Sequence, residues 1–282
     1  MTVKYFKELA YEDIGDENKE TIIFLHTKLL DKWIWKKQKD KYNQYFNDYH
    51  CIFLDLPNHG DSKSNEPFSI GKSSQDIMEF IEYLIESKDI EKINLIGLGL
   101  GGSIAIEIMS RNPNLIDNLI LSGLEIADFK EDEEDSIIGR LGKTQSKYLN
   151  EKPDTFIVKA YLRYFGISKT YFDYMERILD RSIKEEKKIA YESLNYTISD
   201  NLFKDDIPNK ENILIIFGNK EDLDCTKSAI GLKSIFENAK LVEINKGNHL
   251  WNIIDDELFN STIIDFIKFK HIESSPKVRI LE

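Results

Sequence analysis

The chain has 282 residues, 41% hydrophobic and 31% charged, a length and balance that fit one large α/β domain with a substantial buried core. Its formal net charge of −12 repels phosphates, so neither nucleic acid nor an anionic membrane is an expected partner. Cys51 and Cys225, without a C-x-x-C pair or a histidine-rich cluster, give neither a disulfide framework nor a zinc site, and no metal or cofactor is expected. The opening segment lacks an apolar signal-peptide core and no apolar run approaches about 18 residues, so the expectation is a cytoplasmic chain with no membrane span.

Near the start, "VKYFKELAYEDIG" alternates as a strand does, and "TIIFLH" is a continuous apolar run of the kind that forms a buried central strand. "CIFLDLPNHGDS" repeats the pattern, its apolar run giving way to a loop at Asp55, Pro57, Asn58 and Gly60. In "SSQDIMEFIEYLIESKDI" the residues Ile77, Phe80, Ile81, Leu84 and Ile85 recur at helical spacing behind a serine cap. Strand "INLI", a glycine turn, helix "GSIAIEIMSRNP" and strand "NLILSG" follow. Much later come strand "ENILIIFG", helix "TKSAIGLKSIFEN", strand "KLVEIN" and helix "DELFNSTIIDFIKF". Buried runs alternating with helices predict a doubly wound, mostly parallel sheet.

The alternation fails between about residues 127 and 206, where successive stretches are helix-like. Tyr161, Tyr164, Phe165, Tyr171, Phe172 and Tyr174 concentrate in the middle of this insertion. They are expected either to pack helix against helix or to line a pocket. The resulting division is a core of residues 1–126 and 207–270, a helical cap of 127–206, and a loose C-terminal tail of 271–282.

The turn "GLGLGGS" admits two readings. As G-x-G-x-x-G, with Gly97, Gly99 and Gly102, it is a dinucleotide fingerprint; as G-x-S-x-G it is a nucleophile elbow whose central residue is Gly99. A dinucleotide fingerprint opens the first βαβ unit and has an acidic residue about 20 positions on, whereas here two strands precede the turn and Glu125 lies too far along. The elbow is the better fit. With "DLPNHGDS", "NILIIFGNKEDLD" and "LVEINKGNHLWNIIDDELFNSTIIDFI" in order around it, the chain resembles the α/β-hydrolase superfamily, capped branch, from about Tyr5 to Phe269.

The resemblance implies a set of roles. His249 stands at the family's histidine position, and Glu221 is the first candidate for the acid, Asp222 the second and Glu125 an outlying third. The oxyanion hole falls to the backbone N–H groups of Leu100 and Lys28, with Thr27 replacing a loop glycine. The nucleophile position is vacant, because Gly99 has no side chain and neither Ser103 nor Ser122 reaches the same point. Cys51 reads as core, and Cys225 is not taken as a thiol nucleophile. A glycine is favoured at the elbow once acyl transfer is not required, since it escapes much of the backbone strain there. Two expectations follow: a pseudo-enzyme that binds a small apolar or ester-like molecule beneath the cap, or an atypical hydrolase, lyase or isomerase using His249 with Glu221 or Asp222 as general base.

Overall fold

The apolar runs pair into one nine-stranded sheet of order β1-β2-β4-β3-β5-β6-β7-β8-β9. The structure is a computed structural model that describes residues 2–28, 30–64, 66–129, 168, 171, 172, 174, 177, 196–199, 202 and 212–281. The strands are β1 (Lys4–Phe6), β2 (Leu9–Ile14), β3 (Thr21–Leu25), β4 (His50–Leu54), β5 (Ile93–Leu98), β6 (Ile116–Ser122), β7 (Ile213–Gly218), β8 (Lys240–Ile244) and β9 (Val278–Leu281). From β4 through β8 every neighbouring pair is parallel; β1 with β2, β2 with β4, and β8 with β9 are antiparallel. Every residue of β3, β4, β5 and β7 is buried, which is why these strands are continuous apolar runs and not alternating ones.

Helices cover both faces. Four of them matter here: α1 (Ile70–Lys88), α2 (Leu100–Arg111), α3 (Leu223–Ile235) and α4 (Asp256–Phe269). Ser69 starts α1 by accepting the Lys72 N–H at 3.2 Å, four residues ahead of the serine pair that opens the predicted segment. Its stripe of Ile77, Phe80, Ile81 and Leu84 packs in one core with α2, α3 and one sheet face. On the opposite face, α4 packs with Trp35 and Trp251 in a second core. One expectation fails: the tail expected at residues 271–282 carries a strand. Val278–Leu281 pairs with β8 along four residues, and Ile272 and Val278 are buried. The polar run "ESSPK" hides this from a search for apolar periodicity, because the strand is short and only half-buried.

The insertion enters after β6 and returns at β7. Most of residues 127–206, where helices are expected, lie outside the described residues, Tyr161, Tyr164 and Phe165 among them. Of the aromatic group, Phe172 is buried in the second core, and Tyr174 stacks on Trp33 at 4.1 Å between ring centroids.

Candidate functional site

In a parallel sheet the loops beyond the strands' carboxyl ends converge, and this is where ligands bind in open α/β folds. Here the loops after β3, β5, β6, β7 and β8 bring Thr27, Gly99, Gly123, Glu221 and His249 together. Gly99 joins β5 to α2 with φ 53° and ψ −116°, a conformation that an L side chain adopts only with strain. Its N–H donates to the Ser122 carbonyl at 2.9 Å, and its carbonyl accepts from Gly102 N at 2.9 Å, so the turn is held on both sides. A Cβ placed on Gly99 would lie 2.9 Å from His249 Nε2 and would collide with Thr27 Oγ1. Any side chain here points at the histidine.

The carboxylate at the other end of the ring is Glu221. Its Oε1 lies 3.0 Å from His249 Nδ1, and its Oε2 accepts the Gly218 N–H at 2.7 Å. The Glu221 side chain is buried, whereas that of His249 is 19% exposed. Backbone bonds stitch the two loops together: Lys220 N donates to the Gly247 carbonyl at 2.9 Å and Asn219 N to the Ile244 carbonyl at 3.0 Å. The Trp251 indole N–H, donating to Ser122 Oγ at 3.0 Å, anchors the segment after His249. A carboxylate oxygen accepts, so His249 Nδ1 donates to Glu221, and in that tautomer Nε2 presents its lone pair. That lone pair accepts the Thr27 hydroxyl at 2.9 Å.

Thr27 is itself fixed. Leu56 N donates to His26 Nε2 at 3.0 Å, which places the proton of this neutral imidazole on Nδ1, and Nδ1 donates to the Thr27 carbonyl at 2.7 Å. Burial depresses His26 well below the ordinary histidine range, keeping it neutral. Five residues on, the same loop carries a different cluster. Asp55 accepts from Lys32 N at 2.7 Å, Lys32 Nζ at 2.6 Å and Asp61 N at 2.7 Å, while Lys32 Nζ also reaches Asp61 at 2.7 Å. Burial opposes the Lys32 charge, but Asp55 and Asp61 outweigh it and hold the ammonium above its ordinary range. Beside them, Asp31 accepts the Trp33 N–H at 2.8 Å and is pushed up to about 6, first by burial and then by the Asp55 charge.

A sequence model of the alpha/beta hydrolase fold matches residues 20–256, most of the chain. The chain belongs to the alpha/beta hydrolase fold family. Among solved structures, this family member is similar to a serine hydrolase from the polyaromatic hydrocarbon-degrading bacterium Cycloclasticus zankles. That likeness has a TM-score of 0.76 at 16% identity, over 96% of this chain and 99% of that one. An esterase from Exiguobacterium antarcticum superposes with a TM-score of 0.73 at 17% identity, covering 92% of this chain and 95% of that one. At such identities the likeness speaks of fold alone. In sequence, the chain is 29% identical to a 2-hydroxy-6-oxononadienedioate/2-hydroxy-6-oxononatrienedioate hydrolase of Pseudomonas putida, over 41% of this chain and 40% of that protein. A pimeloyl-[acyl-carrier protein] methyl ester esterase of Nitrosospira multiformis is 26% identical over 40% of this chain and 41% of its own length. The matches thus span about two fifths of these curated relatives.

For this hydrolase-fold chain, the carboxylate that the structure bonds to His249 is Glu221's. Asp222 stands one residue on as the N-cap of α3, pushed up by burial and then by Glu125 and Asp224. Glu125 pairs with the Lys28 ammonium at 3.8 Å. Leu100 is the first residue of α2, and Ser103 lies buried a turn further on. Cys225, which follows the acid loop, approaches the site: its sulfur, a Glu221 oxygen and a His249 nitrogen lie within 4.8 Å of one another. Burial, with the charges of Glu221, Glu125 and Asp222, pushes its thiol well above the ordinary range, which disfavours the nucleophilic thiolate. Two clefts, of about 530 Å³ beside β9 and about 360 Å³ beside β1, are lined by neither His249 nor Gly99. No helix among the described residues is long and apolar enough to cross a membrane. What the sequence reading passes over is the Thr27 hydroxyl, and the "HT" pair after β3 is its only signal.

Proposed function

We propose that the chain acts on a small molecule bearing an ester or similar acyl group, by base chemistry at His249 oriented by Glu221, with no serine at the elbow. The Glu221–His249 pair carries this reading: at 3.0 Å, with the carboxylate anchored on Gly218 N–H, it holds one tautomer and aims Nε2 into the turn. A base so oriented accelerates proton removal by about 10²–10⁴. The family resemblance assigns the N–H groups of Leu100, the first residue of α2, and Lys28 as donors for a developing oxyanion, and the dipole at the start of α2 favours that role at Leu100. Trp33, on the same loop as Lys28, whose ring meets those of Tyr171 and Tyr174, supplies with them an apolar wall for the substrate. The methyl ester esterase named above acts, by its name, on an ester.

The test is turnover of p-nitrophenyl acetate, with the melting temperature followed in parallel over a panel of apolar esters, lactones and acids. His249→Ala abolishes turnover on this reading, and Glu221→Gln lowers it by about 10²–10⁴, as loss of an orienting carboxylate does elsewhere. Binding without chemistry, the expectation that Gly99 alone supports, has another signature: saturable thermal shifts with no turnover, unchanged in His249→Ala.

A further inference from the structure

We propose that Thr27 is the nucleophile of this site. The inference deepens the reading just given and rests on it. Three observations carry it. The Thr27 hydroxyl donates to His249 Nε2 at 2.9 Å, which completes a hydroxyl, imidazole and carboxylate line with Glu221 at 3.0 Å from Nδ1. A nucleophile within hydrogen-bond reach of a base that a third group orients is the arrangement that activates serine and threonine hydroxyls. Second, Thr27 Oγ1 takes the space into which a side chain on Gly99 would project, so a hydroxyl borne by the loop after β3 stands where one borne by the elbow would. Third, the Thr27 backbone is pinned from behind by His26, whose Nδ1–H holds the Thr27 carbonyl at 2.7 Å, and the β-branched side chain has few rotamers. A threonine that merely fills space accounts for the second of these and needs neither the first nor the third.

The chemistry balances without any further component than water. Thr27 Oγ1 attacks the ester carbonyl carbon and its proton passes to His249 Nε2, while the carbonyl oxygen becomes an oxyanion facing the Leu100 N–H at the start of α2. The intermediate collapses, the bond from the acyl carbon to the alkoxy oxygen breaks, and the imidazolium gives its proton to the departing alcohol. The acyl group is then on Thr27 Oγ1. Water, losing a proton to His249 Nε2, attacks that acyl carbon; Thr27 leaves and recovers the proton, and the net reaction is ester plus water to acid plus alcohol. Thr27 is 3% exposed, so the substrate approaches past the partly exposed His249 ring.

The experiment uses the full chain and p-nitrophenyl acetate, with rapid acid quench and peptide mass mapping of the acetyl group, on folded samples checked by circular dichroism. The wild type and Thr27→Ser are expected to carry acetyl at position 27 and to release p-nitrophenolate in a burst. Thr27→Val, close to isosteric, is expected to carry none and to lose at least about 100-fold in turnover, the scale of losing a nucleophile. The double variant Thr27→Gly/Gly99→Ser is expected to move the acetyl group to position 99. Turnover in Thr27→Val within about threefold of wild type, together with its loss in His249→Ala, overturns the proposal and leaves the base-chemistry reading standing. Activity in the double variant alone also overturns it, since Thr27 would then only plug a competent site. Silence in every variant overturns both readings together.

Discussion

The loop after β3 carries two polar clusters within six residues, and they are built on opposite plans. Around Lys32 the charges are saturated: Asp55, fully buried, accepts three hydrogen bonds, and the ammonium is shared between two carboxylates. Around Thr27 the groups are in single file, hydroxyl to imidazole to carboxylate, with the imidazole between them partly exposed. A buried cluster whose charges are paired with one another presents little to a substrate. It fixes the loop, and the file beside it is left able to react. The difference teaches that burial and charge mark the structural cluster here, while an incomplete, oriented chain of hydrogen bonds marks the chemical one.

Breaking the saturated cluster has the largest expected effect on stability. Lys32→Met strands Asp55 among buried groups and is expected to cost about 3–5 kcal/mol, read as a lower urea midpoint. Next comes the elbow. Gly99→Ala combines a left-handed φ with a collision against Thr27 Oγ1, and is expected to cost about 2–4 kcal/mol. Adding Thr27→Gly removes the collision but not the φ, so the double variant is expected to recover about 1–2 kcal/mol in a double-mutant cycle.

A smaller effect, of opposite sign, belongs to Asp31. Its folded-state value of about 6 lies above the ordinary 3.8, so between those values the native state binds a proton that the unfolded chain has released. Its contribution is therefore favourable at low pH and is lost as the pH rises through about 6. Asp31→Asn keeps an acceptor for the Trp33 N–H and carries no charge. It is expected to raise stability at pH 7 by about 1–2 kcal/mol and to flatten the pH 4–6 slope, both read from urea curves. Smallest in stability is Thr27→Val, expected within about 1 kcal/mol of wild type by thermal unfolding, for all its effect on chemistry. A destabilisation as large as that of Lys32→Met would place Thr27 with the structural cluster and erase the contrast.

The parallel core was legible because buried strands are apolar runs: "TIIFL", "CIFL", "INLIGL" and "ILIIFG" read directly as β3, β4, β5 and β7. The elbow, His249 and Glu221 were legible through motifs, since each lies at a fixed offset from a strand end. Thr27 was not, because its partner is 222 residues away and no local pattern reports a hydroxyl filling the space above Gly99. The burial of Lys32 was equally hidden: in "LLDKWIW" a lysine reads as surface, and only the fold brings Asp55 and Asp61 beneath it.

The two outermost strands have a consequence for how copies of this chain meet one another. A parallel sheet of apolar strands is a template for adding further strands at its margins, and hence for aggregation. Here β1 has three residues and β9 four, both antiparallel to their neighbours and both bearing cations. Lys4 is engaged by Asp13 at 2.9 Å and Arg279 by Glu243 at 3.2 Å. The strands most prone to recruit another chain are thereby shut in behind short, charged ones. Removing Val278–Leu281 would expose β8, whose residues alternate less in polarity and which offers a longer open margin for intermolecular pairing.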